Sequence, residues 1–275
     1  MMQNGNSLFN QKQSSIMDSN LQDLIQEKRK HQDILIMSHT VIGYPSLETS
    51  AALVDALVTE GQVEMIELQF PCSEPIADGP VLLKANQAAV RQGTSIDTCF
   101  EFARTVTARH PNTIFIIMTY YNIVFQRGVE QFVSEAAQAK VKGIITPDIP
   151  PEVAEEYIEA CRRHQIAPIF LVTPDTTEAR LQQIAKVSDG MIYAVARPGV
   201  TGLKTTFTPE FYAYIQGVKQ QIALPLGVGF GLKCKADVDM LRGKAEIAIM
   251  CSKAIELCVS ESPAAVGRFF GGLRP

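Results

Sequence analysis

A chain of 275 residues, 46% hydrophobic and with a formal net charge of −4, has the length of one α/β barrel and enough apolar mass to fill its core. The charge, and the lack of any basic cluster beyond Lys28-Arg29-Lys30 between Glu27 and Asp33, argue against nucleic acid as a partner. The six cysteines lack CxxC or metal-ligand spacing, no run of about 18 apolar residues is present, and the N-terminus lacks the blocks of a signal peptide; reduced thiols, no metal, no membrane and a cytoplasmic location are expected.

Residues 1–20 are rich in Asn, Gln and Ser and read as a flexible N-terminal tail; residues 21–275 read as a single barrel domain. Leu21, Leu24 and Ile25 share a helical face. The first strand, Leu35 to Ile42, stops at Gly43-Tyr44-Pro45, and Ser46 caps the helix that ends at Gly61. The second strand runs from Met65 to Phe70. Two helices follow it, Val81 to Gln92 and Ser95 to His110, so one helix is extra to plain strand–helix alternation. The third strand is Thr113 to Tyr120. A helix from Val129 to Lys140 leads to the fourth, Gly143 to Ile149, and Pro150-Pro151 opens the next helix. The fifth strand is Ala167 to Val172, and Asp175 with Glu178 resembles a capping box. Met191 to Ala196 is the sixth strand, Pro209 to Gln221 a helix, and Leu224 to Gly231 the seventh strand. A short helix from Ala236 to Leu241 precedes the eighth strand, Glu246 to Met250, and the last helix breaks near Pro263.

Eight short apolar strands separated by helices, without a linker, predict parallel pairing with both faces covered, and so a closed (β/α)8 TIM barrel with an extra helix after the second strand. A doubly wound sheet is the alternative; no GxGxxG follows the first strand to favour it.

In a barrel, chemistry sits at the C-terminal ends of the strands. The stretch Glu67 to Pro80 has the most to offer there. Strand alternation puts Ile66, Leu68 and Phe70 on one face and Met65, Glu67 and Gln69 on the other, so two polar groups face a packed surface. A loop stiffened by three prolines and a glycine then carries a second carboxylate, Asp78. Two carboxylates in this arrangement suit acid–base chemistry. Equally open at this point is a Glu paired with an Arg and a turn Asp used as a helix cap. His39, Tyr120 with Asn122, Asp148, Tyr193 with Arg197, Phe230 with Gly231, and Ser252 complete the strand ends. Glycine-rich loops after strands six and seven, with Ser252 after strand eight, suit a phosphate held by backbone N–H groups.

Glu67-Leu68, Phe70-Pro71 and Ser73-x-Pro75-x-Ala77-Asp78-Gly79-Pro80 resemble the signature of the tryptophan synthase α-subunit family. So do Tyr120-x-Asn122, Pro147-Asp148-Ile149-Pro150, Ala167-Pro168-Ile169, Gly199-Val200-Thr201-Gly202 and Gly229-Phe230-Gly231, in collinear order from about Leu35 to Phe270. The resemblance implies a lyase that splits indole-3-glycerol phosphate into indole and glyceraldehyde 3-phosphate. It implies Glu67 as acid/base and Asp78 as stabiliser of charge at the indole N–H. It also implies Tyr120, Tyr193 and Phe230 around the substrate, Gly202, Gly231, Cys251 and Ser252 as the phosphate cradle, and a mobile lid near Arg197 to Lys204. No cofactor is implied in this chain. Pyridoxal phosphate is expected only in a partner β-subunit, in an α2β2 assembly.

Five positions depart from the family's pattern. Gln69 stands where glycine follows Glu-Leu, His39 where an apolar residue is usual, and Glu74 where Asp is common. Pro198 replaces a small polar residue, and Cys251 replaces the glycine before Ser252. A stand-alone lyase releasing free indole and a weakly active β-subunit activator are the alternatives; the presence of both Glu67 and Asp78 weighs against the latter.

Overall fold

The computed structural model describes residues 19–196, 207–229 and 231–274. Its strands are β1 (Leu35–Val41), β2 (Met65–Gln69), β3 (Ile114–Met118), β4 (Gly143–Ile145), β5 (Ala167–Ile169), β6 (Leu171–Val172), β7 (Ile192–Val195), β8 (Leu226–Gly229) and β9 (Ile247–Met250). All paired neighbours run parallel, in the order β5-β4-β3-β2-β1-β9-β8-β7-β6.

The two ends of that order, β5 and β6, are one stretch of chain interrupted at Phe170. Ile169 pairs with Ile145 of β4, and Leu171 pairs with Tyr193 of β7. The break lets one strand turn from one neighbour to the other, and the carbonyl of Phe170 still accepts the Tyr193 N–H at 3.1 Å. The expected eight-stranded barrel is therefore nearly closed, its fifth strand serving one neighbour with its first half and the other with its second.

Helices Pro80–Arg91 and Ile96–Arg109 both follow β2, as the extra-helix reading expects. Serines 46 and 95 cap their helices through Oγ, accepting from the N–H groups of Thr49 and Thr98. Three features differ from the sequence reading. Tyr121–Arg127 is a helix where a loop was expected, because the Asp148 carboxylate accepts the Tyr121 N–H at 2.8 Å and caps it from another strand end. The cap of helix Glu178–Val187 is Thr177, whose side chain accepts from the Arg180 N–H, rather than Asp175. Asn20 caps helix Leu21–Arg29, so the tail stops short of it; the tail itself, up to residue 18, lies outside the described residues.

Helix Leu21–Arg29 buries Leu21, Leu24 and Ile25. Leu21 lies so close to Gly143 and Gly190 that a β-carbon at Gly190 would stand 2.5 Å from Leu21 Cδ2. Gly190 also has φ +73°, which disfavours any side chain. Gly190→Ala should therefore lower stability by about 2 kcal/mol, and a denaturant titration showing no loss would contradict this packing.

Candidate active site

Strand β2 places the site. Phe70, the residue just after it, packs edge-on against Phe100 and Phe132 of the surrounding helices, with centroids 5.0 and 5.7 Å away. That anchors the outer face and turns Glu67 and Gln69 the other way. His39 of β1 pairs in register with Glu67. Its Nδ1 lies 2.9 Å from Glu67 Oε1, and its Nε2 lies 2.9 Å from Gln69 Oε1, one pleat further along. Gln69 Nε2 in turn donates to Asp78 Oδ2 at 2.7 Å. All four side chains are buried, and Glu67 Oε2 has no hydrogen-bond partner among the described residues.

Neither bland role suits these carboxylates. Glu67 faces a histidine, not an arginine. Helix Pro80–Arg91 has Gly79 at its N-cap and no side-chain cap, while Asp78 points inward. Burial pushes the Asp78 carboxyl up to about 6, against the opposing effects of the Gln69 hydrogen bond, the His39 charge and the Tyr120 hydrogen bond. Burial by itself would lower the His39 pKa, but the charge and hydrogen bond of Glu67, with Asp78 and Gln69, bring it above its ordinary value.

Tyr120 holds Asp78. Its hydroxyl accepts the Ala77 N–H at 3.0 Å and donates to Asp78 Oδ2 at 3.1 Å. Asn86, fully buried on the inner face of helix Pro80–Arg91, was missed in the sequence. It accepts the Cys72 N–H at 3.0 Å, donates to Leu82 O at 2.9 Å and lies 3.5 Å from Asp78 Oδ2. The signal was present: a polar residue in the helical stripe Leu82, Ala85, Asn86, Ala89.

Tyr193 is buried from β7, its ring lying over Gly229, where a β-carbon would stand 2.4 Å from the hydroxyl. Tyr193 and Cys251 hydrogen-bond to each other, and burial raises both of their pKa values well above the ordinary range. Cys251 has φ −97°, which any residue adopts, so the β-carbon that replaces hydrogen there is accommodated. Its sulfur turns inward: ligand atoms of His39, Glu67 and Cys251 all lie within 4.8 Å of one another. Nitrogen, oxygen and sulfur together are a donor set that suits a cation such as zinc, but both ring nitrogens of His39 are engaged by Glu67 and Gln69. Ser252 is the first residue of helix Ser252–Ser260, whose opening N–H groups have no intrahelical acceptor. Gly231 follows β8 with φ +85°. The predicted positions Gly202 and Phe230, and the lid at 197–204, lie outside the described residues. Asp148 serves as the helix cap described above, and Asn122 is exposed.

The sequence model for the tryptophan synthase alpha chain matches residues 24–266. The chain belongs to the tryptophan synthase alpha chain family. It is 46% identical over 254 residues to the alpha chain of Syntrophotalea carbinolica, covering 92% of this chain and 100% of that one. It is 44% identical to that of Desulfotalea psychrophila, covering 92% and 99%. Among solved structures, a Mycobacterium tuberculosis tryptophan synthase chain superposes with a TM-score of 0.85 at 30% identity, covering 93% of this chain and 96% of that one. As an alpha chain of tryptophan synthase it is a carbon–carbon lyase of tryptophan biosynthesis, acting on indole-3-glycerol phosphate. No helix among the described residues is long and apolar enough to cross a membrane.

With Asp78 titrating at about 6, the carboxylate form prevails above that pH. If it acts as an anion, kcat/KM for indole-3-glycerol phosphate should fall below about pH 6. The same shift bears on stability. The folded carboxyl is harder to ionise than the unfolded one, so its contribution is present at low pH and lost as the pH rises through about 6. Asp78→Asn, neutral throughout, should therefore gain Tm relative to wild type at neutral pH, and the gap should close as the pH falls towards about 4. A gap that widens on acidification would reverse this assignment.

Proposed function

We propose that Glu67 is the acid/base of the alpha reaction and that Asp78 is the anion opposite the indole nitrogen. The carbon–carbon bond of indole-3-glycerol phosphate cannot break while the indole ring keeps its electrons. Glu67 protonates the ring carbon that bears the glycerol chain, which moves positive charge to the ring nitrogen. Asp78 balances that charge. Cleavage returns the bonding electrons to the ring, and Glu67, now a carboxylate, takes the proton of the hydroxyl that becomes the aldehyde. One proton leaves Glu67 and one returns. The observation that supports this most is the pair of buried carboxylates on one hydrogen-bonded chain at the C-terminal end of β2. Gly202, Gly231, Cys251 and Ser252 are proposed to hold the phosphate through backbone N–H groups, with helix Ser252–Ser260 aligned to favour the anion. Tyr120, Tyr193 and Phe230 are proposed to line the indole site.

These steps call on no group beyond the chain's own residues; pyridoxal phosphate belongs to a partner β-subunit that consumes the indole. A solved tryptophan synthase complex from Pyrococcus furiosus contains a chain that superposes with a TM-score of 0.78 at 26% identity, covering 87% of this chain and 97% of that one. Docking at the barrel mouth is supported by three exposed apolar side chains: Ile76 (73% exposed), Phe125 (68%) and Val153 (68%). They follow β2, β3 and β4, which are neighbours in the barrel.

Glu67→Gln should reduce turnover about 100-fold or more without loss of fold, because an amide cannot give up and recover a proton. Activity within about tenfold of wild type would remove Glu67 from the acid/base role. Replacing Ile76, Phe125 and Val153 together by Ser should weaken β-subunit binding about tenfold or more, with little change in Tm. Calorimetric titration measures this, and undiminished affinity would place the docking face elsewhere. The free chain should cleave slowly and accelerate with saturating β-subunit; equal rates would favour the stand-alone lyase.

A further inference from the structure

Two buried carboxylates are joined here by a histidine and a glutamine, and the hydrogen bonds determine where the protons lie. Asp78 Oδ2 is approached by Gln69 Nε2 at 2.7 Å, by the Tyr120 hydroxyl at 3.1 Å and by Asn86 Nδ2 at 3.5 Å. The Tyr120 oxygen already accepts the Ala77 N–H, so its own proton is free to point at Asp78. Three donors converging on one oxygen identify it as an acceptor, which turns the Gln69 amide nitrogen towards Asp78. The Gln69 oxygen must then face His39 Nε2 at 2.9 Å, so Nε2 carries a proton.

That leaves His39 Nδ1, 2.9 Å from Glu67 Oε1. A neutral imidazole protonated on Nε2 has a bare Nδ1, which needs a donor. The contact is satisfied when Glu67 is a protonated carboxyl, or when His39 is an imidazolium facing a carboxylate. Each arrangement holds one proton. With none, two lone pairs would face each other in a buried site.

We propose that His39 and Gln69 are positioning residues for the alpha reaction. Gln69 fixes the tautomer of His39, so that the His39–Glu67 contact retains one proton for delivery to the substrate and strongly favours its recovery. The proposal rests on Glu67 being the acid/base. When Glu67 gives its proton to the ring carbon, the contact is left in its unfavourable empty state. Abstraction of the hydroxyl proton refills it, so the proton count balances over the cycle. The proton lies between Glu67 Oε1 and His39 Nδ1, so its delivery requires the Glu67 carboxyl to turn about its last side-chain bond; Oε2, buried and without a partner among the described residues, leaves that turn unopposed.

Among the described residues, the other titratable groups around His39 leave the bridge undisturbed. Tyr120 after β3, Tyr193 on β7 and Cys251 after β9 are all held neutral by burial, and Asp78 is the remaining carboxylate. The raised pKa of His39 accords with a bridge that keeps its proton.

The test is the nitrogen spectrum of the imidazole in the full-length, 15N-labelled chain between about pH 5.5 and 8.5, with His39 assigned by its disappearance in His39→Asn. Nε2 should be protonated throughout, with Nδ1 either bare or shared. A neutral His39 with its proton on Nδ1 and a bare Nε2 overturns the proposal, whatever the role of Glu67. In Gln69→Met the tautomer is released, and Nδ1–H donates to a Glu67 carboxylate. The basic limb of the kcat profile for indole-3-glycerol phosphate cleavage should then move down by about one pH unit or more. A limb that stays in place in folded Gln69→Met overturns the proposal. Should that variant not fold, the wild-type spectrum decides alone. Failure of the acid/base reading is separate: it would appear as activity retained in Glu67→Gln.

Discussion

A carboxylate inside a barrel is stable only if something there accepts its charge or keeps its proton. This chain buries two of them, Glu67 and Asp78, and among the described residues gives them no lysine or arginine as partner in their hydrogen bonds. The arrangement that makes this tolerable is a line of groups able to accept or donate as needed: imidazole, amide, phenol and a second amide. Much of the barrel mouth follows from that constraint. His39 must stand opposite Glu67, Gln69 must lie one pleat beyond, and Tyr120 must reach across from the end of β3.

The loop between β2 and helix Pro80–Arg91 is where this chemistry meets the surface. Its prolines limit the backbone, the Asn86 amide ties down Cys72, and the Tyr120 hydroxyl ties down Ala77. One end of the loop carries Asp78 inward, while Ile76, two residues earlier, is exposed. A partner pressing on Ile76 would therefore act on a segment with little freedom to absorb the displacement, and Asp78 is the nearest group to move.

Two departures from the family pattern that look independent in the sequence meet in space. His39 and Gln69 are 30 positions apart and become one hydrogen bond because β1 and β2 pair with His39 opposite Glu67. Cys251, a third departure, comes from the far side of β1 and turns its sulfur towards the same carboxylate. Substitutions that would each be awkward alone are mutually compensating: a polar residue at 69 needs a partner, and a histidine at 39 needs two.

The sequence by itself determined the elements that depend on local pattern. Alternation along Met65 to Phe70 put Glu67 and Gln69 on the inner face, Ser46 and Ser95 marked their helices, and eight apolar strands between helices specified the barrel. The carboxylate pair was legible too, because a charged residue in a buried strand and another in a proline-stiffened loop are anomalies of short range. What only the tertiary structure decided depends on register and on pairs distant in the chain. Strand five divides at Phe170 because closure requires it to serve two neighbours. Helix Tyr121–Arg127 exists where no local cap announced it, because its cap is Asp148, 27 residues away. Asn86 became part of the site, and the protons around Glu67 acquired a direction, only when strand pairing set particular donors against particular acceptors at 2.7–3.5 Å. Hydrophobic period is written along the chain, but a hydrogen bond between side chains is a statement about two places at once, and only the folded barrel brings them together.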